Sequence, residues 1–262
     1  MDLDKYTSEM AKSIWDKAFF MDKIPGAKCV IDFGCADGAM IHFLAPLFPD
    51  IIFIGYDISK ELIDRARTAT PHYANTVFFD NHDEHGSYHM QQFIKEKGFT
   101  SEEICLNFSC VLHEVFSSTP AGKYTIRYLV NAIEPKYITV RDMYFEGKNP
   151  VLSYYQVKEI VNTFGINDEA ITDFEEEFCS ISTLKGMHHF LMKYQWYNNG
   201  WDKEMAENYF SWDREDFMDM IGTYSTVFET HYMLPYYREK WYEHEMYPLE
   251  ANTHAQFIFR RW

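Results

Sequence analysis

Residues 30–38 read Val-Ile-Asp-Phe-Gly-Cys-Ala-Asp-Gly, an apolar run broken by Asp32 that closes on two glycines, Gly34 and Gly38. A turn of this kind lets a ligand lie against bare backbone, and the neighbouring residues narrow the choice of ligand. A triphosphate loop requires GxxxxGK[ST], whereas Gly38 is followed by Ala39 and Met40, with no lysine for the phosphates. A dinucleotide turn requires GxGxxG, and alignment on Gly34 supplies only Gly34, Ala36 and Ala39. Asp32 would also repel a pyrophosphate. A ligand with a cationic end and no phosphate meets neither objection.

The order Asp32, Phe33, Gly34, Cys35, Ala36, Asp37, Gly38 resembles the first motif, acid-x-Gly-x-Gly-x-Gly, of the class I S-adenosylmethionine-dependent methyltransferases, with alanine at the middle glycine. The resemblance covers residues 28–145 and the last strand. It implies that S-adenosylmethionine, with its α-ammonium and sulfonium, is the cofactor, and that Asp32, Gly34, Cys35, Ala36 and Gly38 surround it. It further implies that Asp57 accepts hydrogen bonds from the ribose hydroxyls with Ile58 beside it, that Asp80 and Asn81 contact the adenine amino group, and that Ser109 stands at the strand end facing the methyl group. Taken singly, each strand-end acid reads as a helix cap, as Asp57 with Ser59 would be. Three in step with a glycine turn favour the ligand.

On the acceptor side, His113 and Glu114 just past the fourth strand are expected to take a proton or bind substrate, since an imidazole titrates near neutrality; packing or capping is the alternative. Arg141 and Asp142 at the end of the fifth strand are expected to bind substrate, a mutual ion pair being the plainer reading. Asn107 is followed by Phe108 and Ser109, so the Pro-Pro-aromatic signature of amino-group transfer to DNA adenine is absent, as is a Pro-Cys motif for cytosine. No metal site is expected: His82, Asp83, His85 and His89 straddle a turn without a helical HxxxH, and His188 and His189 stand in an aromatic stretch. Trp201, Met205, Asn208 and Tyr209 fit one helical face, either roofing a substrate pocket or packing a core.

The elements that must position these residues follow from the hydrophobic rhythm. Runs at 28–34, 51–57, 75–83, 102–112 and 136–145 read as strands, separated by helical segments at 39–48, 60–67, 88–98 and 121–134. Such alternation predicts an α/β, Rossmann-like, doubly wound and mostly parallel sheet. Residues 7–22 are expected to form a leading helix. The rhythm stops after Gly147; helices are expected at 150–165 and 202–224, with an aromatic and histidine-rich stretch of no clear period between them. Residues 223–262 supply a strand, a long connection and a final antiparallel strand. The organisation expected is one domain: 1–27 helical, 28–147 cofactor-binding, 148–222 a helical insert or lid, and 223–262 completing the sheet.

Composition bounds partners and compartment. Among 262 residues, 24 basic against 40 acidic side chains give a net charge of −16, which opposes a general grip on nucleic-acid phosphates. Aromatic residues make up 18%, more than a minimal core of this length needs, so some are expected to line a cavity or an interface. Five cysteines without a CxxC pair fit a reducing, cytoplasmic setting. No signal peptide or membrane span is expected. These features favour a small or modest-sized polar acceptor. The alternatives are an RNA acceptor, with Tyr and Trp stacking on unpaired bases and residues 236–241 with 259–262 giving a small basic end, and a noncatalytic chain that binds S-adenosylmethionine, or nothing, and serves as a partner subunit.

Overall fold

The computed structural model describes residues 12–81, 86–118, 120–198 and 200–262. After a one-turn helix, α1 (Ile14–Lys17), strands and helices alternate: β1 (Cys29–Phe33), α2 (Ala39–Leu44), β2 (Ile52–Asp57), α3 (Lys60–Thr68), β3 (Thr76–Asp80), α4 (Gly86–Lys97) and β4 (Ile104–Ser109). Two helices, α5 (Leu112–Ser118) and α6 (Pro120–Ile133), lead to β5 (Tyr137–Glu146). Helices α7 (Tyr154–Thr163), α8 (Asp168–Glu177), α9 (Leu184–Tyr194), α10 (Trp201–Met205) and α11 (Arg214–Ile221) follow, and then β6 (Tyr224–Tyr232), α12 (Pro235–Glu243) and β7 (Asn252–Arg261).

The sheet order is β3-β2-β1-β4-β5-β7-β6. The strands from β1 to β5 pair in parallel, and β7 runs antiparallel to both β5 and β6. The expected doubly wound sheet with an antiparallel last strand is therefore the observed one. Strand order reverses beside β1, and ligands in such sheets bind at the carboxyl ends of the strands next to that reversal.

Both faces of β1 and β4 are buried throughout, which is why these strands read as continuous apolar runs rather than alternating ones. One sheet face packs on α4, α6 and α11 through Met90, Ile94, Ile126, Leu129, Phe217 and Ile221. The other packs on α2 and α3 through Met40, Ile41, Leu44, Ile63 and Ala66. A further core, built from Ile160, Phe174, Phe190, Tyr237 and Trp241, joins α7–α9 to α12. The connection between β6 and β7 thus packs with the helices that follow β5.

Several local expectations need correction. The leading helix shrinks to Ile14–Lys17, followed by turns, while Met10 lies outside the described residues. Leu47, expected on the buried face of α2, is exposed because the helix ends at Leu44. The aperiodic stretch contains α9, capped by the Thr183 side chain on the Gly186 amide. The helix expected over 202–224 is two helices, the second starting at Asp213, whose carboxylate accepts from the amides of Glu215 and Asp216. Asn208 and Tyr209 consequently fall beyond α10 and share no helical face with Trp201.

Gly38 begins α2 at φ +75°, and a Cβ there would lie 2.6 Å from the Phe78 ring. Gly26, at φ +83°, has nothing within 4 Å of the same position. Gly26→Ala should therefore lose only the roughly 1–2 kcal/mol of left-handed backbone cost. Gly38→Ala should lose at least about 1 kcal/mol more, because the ring must shift. Urea unfolding of the two variants checks this, with equal losses counting against the steric assignment.

Candidate active site

Asp32 ends β1 almost wholly buried, at 4% exposure. Its partner is set by register: Asp32 lies opposite Asn107 on β4, and Asn107 opposite Thr139 on β5. Asn107 Nδ2 donates to Asp32 Oδ1 at 2.8 Å, and Thr139 Oγ1 donates to Asn107 Oδ1 at 2.8 Å. A polar row thus crosses the centre of the sheet, with each buried group answered by the next strand. Burial nevertheless pushes the Asp32 carboxyl up to about 6, against the lowering effect of Asn107 and of the Lys17 charge.

The glycine turn is fixed from two sides. Gly34 and Cys35 donate their amides to the Tyr56 carbonyl at 2.7 and 3.1 Å. Asp57, ending β2, accepts from the Ala36 amide at 2.9 Å and from the Ser59 amide at 2.8 Å. Burial raises the Asp57 pKa while these backbone donors oppose the shift. Ala36, at the family's middle glycine, takes φ +49°, so a left-handed backbone is retained without glycine. Asp57 thus holds the turn to the start of α3, whose cap is the Ser59 side chain, and its carboxylate retains further lone pairs.

Next to this turn lies a cavity of about 50 Å³, lined by Asp32, Gly34, Cys35, Ala36, Ser109 and residues of α1 among others. Ser109 Oγ is buried there without a hydrogen-bond partner. Ile58, on the edge beyond Asp57, exposes 77% of its surface. Asp80 is drawn aside into an ion pair with Arg67 at 3.0 Å, with exposed Asn81 next to it.

The acceptor-side residues come together around β5. Adjacent strand residues point to opposite faces, so Arg141 and Asp142, 1% and 0% exposed, do not pair with each other. Arg141 Nε donates to Asp16 Oδ2 at 2.6 Å, and Arg141 Nη1 to Cys110 Sγ at 2.6 Å. Asp142 instead accepts from His113 Nδ1 at 2.7 Å, from the His113 amide at 3.1 Å and from the Met143 amide at 2.7 Å. One carboxylate therefore caps the start of α5 and orients the imidazole. The plainer reading of a mutual ion pair is overturned by this partition.

With Nδ1 committed to Asp142, His113 Nε2 turns toward Glu207, whose Oε2 is 3.9 Å away. Burial opposes charge on His113, but Asp142, with Glu114 and Glu207, outweighs it and raises the pKa. Burial also raises the Glu114 carboxyl, against the charges of His113 and Lys203. His113, Glu114 and Glu207 line a cavity of about 110 Å³ with Met143, Trp196, Tyr209 and Tyr236. Cys110 lines both this cavity and the one beside Asp32.

Sequence reasoning passed over Lys193 and Glu207. Lys193, fully buried in α9, donates to the carbonyls of Glu204 and Glu207 and sits 3.8 Å from the centre of the Tyr209 ring. Desolvation lowers its pKa to about 8. A lysine inside an otherwise apolar run, Met-His-His-Phe-Leu-Met-Lys, was the available signal. His188 and His189 are structural: the first bonds the Tyr237 hydroxyl at 2.9 Å, and the second accepts the Tyr209 amide at 3.3 Å. His82, Asp83 and His85 lie outside the described residues.

No protein-family model matches the sequence, and no curated protein matches it. Solved structures do. An S-adenosylmethionine-dependent methyltransferase from Mesorhizobium loti aligns with a TM-score of 0.52 at 12% identity, over 95% of this chain and 98% of that one. TnmH aligns with a TM-score of 0.53 at 10% identity, over 98% of this chain but 57% of its own. CalO1, a methyltransferase in calicheamicin biosynthesis solved with S-adenosylhomocysteine, aligns with a TM-score of 0.51 at 10% identity, over 98% and 56% respectively. The chain thus spans little more than half the length of the latter two.

The buried Asp32 yields a prediction for the unliganded protein. A carboxyl that titrates near 3.8 when unfolded and about 6 when folded favours folding in its protonated form, so stability is lost as pH rises through that window. Asp32→Asn keeps an acceptor for Asn107 and removes the buried charge. It should raise stability at pH 8 by about 1–3 kcal/mol, with the gain vanishing below roughly pH 4. Urea unfolding at both pH values measures this, and a destabilised variant at pH 8 would sink the assignment.

Proposed function

We propose, on the premise that this chain has the class I S-adenosylmethionine-dependent methyltransferase fold, that it transfers a methyl group to a small polar acceptor held in the aromatic cavity. The observation that carries the reading is the shared wall at Cys110. A cavity with a buried acid and an orphaned hydroxyl adjoins one with an oriented imidazole, and Cys110 lines both.

The residues present suit the cofactor. Asp32 offers a desolvated carboxylate to an ammonium, and Ser109 offers a hydroxyl with no protein partner. Asp57 has lone pairs left for the ribose, and Ile58 supplies an exposed apolar surface for the adenine. Asp80 and Asn81 stand next on the same edge. When bound, S-adenosylmethionine supplies an electrophilic methyl group on its sulfonium. The protein's own part is alignment, exclusion of water and removal of a proton from the acceptor. Asp142 fixes the imidazole of His113, and His113, Glu114 and Glu207 form the cluster that meets the acceptor's nucleophilic atom. Arg141, tied to Asp16, acts as a positioning residue for that wall rather than as a direct ligand.

The volume of the cavity, about 110 Å³, favours a small molecule over RNA. Tyr237 and Trp241, within the basic segment 236–241, are buried in the helical core and offer no face to a base. No helix among the described residues is long and apolar enough to cross a membrane.

Calorimetric titration with S-adenosylhomocysteine, beside NAD and ATP, tests the cofactor. Micromolar binding of S-adenosylhomocysteine alone is expected, weakened at least about ten-fold in both Ser109→Ala and Asp57→Asn, as for loss of a hydrogen bond to a polar ligand group. His113→Asn should bind it normally and lose methyl transfer to any acceptor found by screening. Preference for NAD, or no binding of S-adenosylhomocysteine, would end the methyltransferase reading.

A further inference from the structure

The acceptor cluster contains more acceptors than donors. Asp142 accepts from His113 Nδ1, so in the neutral ring Nε2 presents its lone pair to the cavity. One oxygen each of Glu114 and Glu207 faces it, and the three candidate ligand atoms lie within 4.8 Å of one another. The Nε2 to Glu207 separation of 3.9 Å is too long for a hydrogen bond that would settle the pair by protonation. Lys203 approaches the other Glu207 oxygen, Oε1, at 3.6 Å, leaving Oε2 turned to the imidazole. With the ring neutral, a lone pair and two carboxylate oxygens converge on one point, an arrangement that a cation between them would stabilise.

We propose that His113 Nε2, Glu114 and Glu207 form a binding site for a divalent transition-metal ion in the wall of the acceptor cavity. The arrangement matches what such sites need. Two ligands are adjacent on the first turn of α5, and the third arrives from beyond α10, where Lys193 holds the Glu207 carbonyl. The His113 ring donates its second nitrogen to a carboxylate, the usual outer-sphere support of a metal-bound histidine, which fixes the ring and strengthens its basicity. One imidazole nitrogen with two carboxylate oxygens suits Mn²⁺, Fe²⁺ or Zn²⁺ better than Mg²⁺, which prefers an all-oxygen shell. Three protein ligands leave coordination positions open toward the cavity. The acceptor's hydroxyl or amine would then bind the ion, which would lower its pKa, and His113 would act as ligand rather than as proton acceptor.

Binding of the ion does not rest on the methyltransferase reading; only its consequence for the acceptor does. The test is titration of the full chain with Mn²⁺, followed by the electron paramagnetic resonance of the free ion, and with Zn²⁺ by calorimetry. S-adenosylhomocysteine is titrated into the same sample. One saturable site of micromolar affinity is expected, weakened at least about ten-fold in Glu207→Gln and His113→Asn, with binding of S-adenosylhomocysteine changed less than about two-fold in either. If the variants fold poorly, pulsed resonance of Mn²⁺ bound to the unaltered protein should show coupling to a single imidazole nitrogen. Absence of saturable binding below millimolar metal, binding unaffected by both substitutions in folded variants, or a bound ion without nitrogen coupling would overturn the site. Metal binding without S-adenosylhomocysteine binding would overturn only the cofactor assignment, and the reverse only the metal site.

Discussion

A carboxylate that cannot reach water must be answered by donors, and Asp142 answers this requirement in a way that shapes the acceptor side of the molecule. It is fully buried and accepts three N–H groups, two of them from His113. The donor from the backbone fixes where α5 begins, and the donor from the ring fixes which imidazole nitrogen faces the cavity. Because the same carboxylate does both, the orientation of the His113 ring is inseparable from the packing of α5 on β5. Removing the charge would leave two backbone amides and a ring nitrogen to be satisfied in an apolar interior, which has a cost of its own.

The same logic runs across the sheet's centre. Asp32, Asn107 and Thr139 occupy matched positions on β1, β4 and β5, and each hydrogen bond requires the other two strands to be in register. A slip of any one of these strands by one residue would turn its side chain to the opposite face and break its hydrogen bonding in the row. The raised pKa of Asp32 indicates that this network compensates the buried charge only in part. Residual electrostatic cost at a ligand-facing acid is what a cationic ligand can relieve on binding.

Legibility in the sequence follows the same division. The strands and helices from 28 to 145 could be read because a two-face-buried strand is an uninterrupted apolar run and an amphipathic helix repeats with its turn. Helix α9 escaped because residues 186–193 are all buried, so no polar face marks a period. The cofactor-side residues were legible as a linear motif with acids at successive strand ends. The acceptor side was legible only in part: His113 and Glu114 stand out beside a strand end, but Asp142 was expected to bind substrate or to pair with Arg141, because chain adjacency does not show that it meets His113. Glu207 and Lys193 come from the aperiodic helical region, and only the tertiary fold brings them to His113.

The two cavities also share a wall that no local pattern announces. Asp16 accepts from Arg141 and from the Tyr232 hydroxyl at 2.7 Å, and its second oxygen accepts from Gln256 Nε2 at 2.8 Å, tying α1 to β5, β6 and β7 at once. Ser13 lines the larger cavity, and Ile14 and Lys17 line the smaller. Breaking a buried ion pair by removing one partner leaves an uncompensated charge, typically at a cost of about 3–5 kcal/mol. The segment that lines both cavities is therefore held by strong interactions. The walls of the two cavities thus depend on contacts spanning nearly the whole chain, from Asp16 to Gln256.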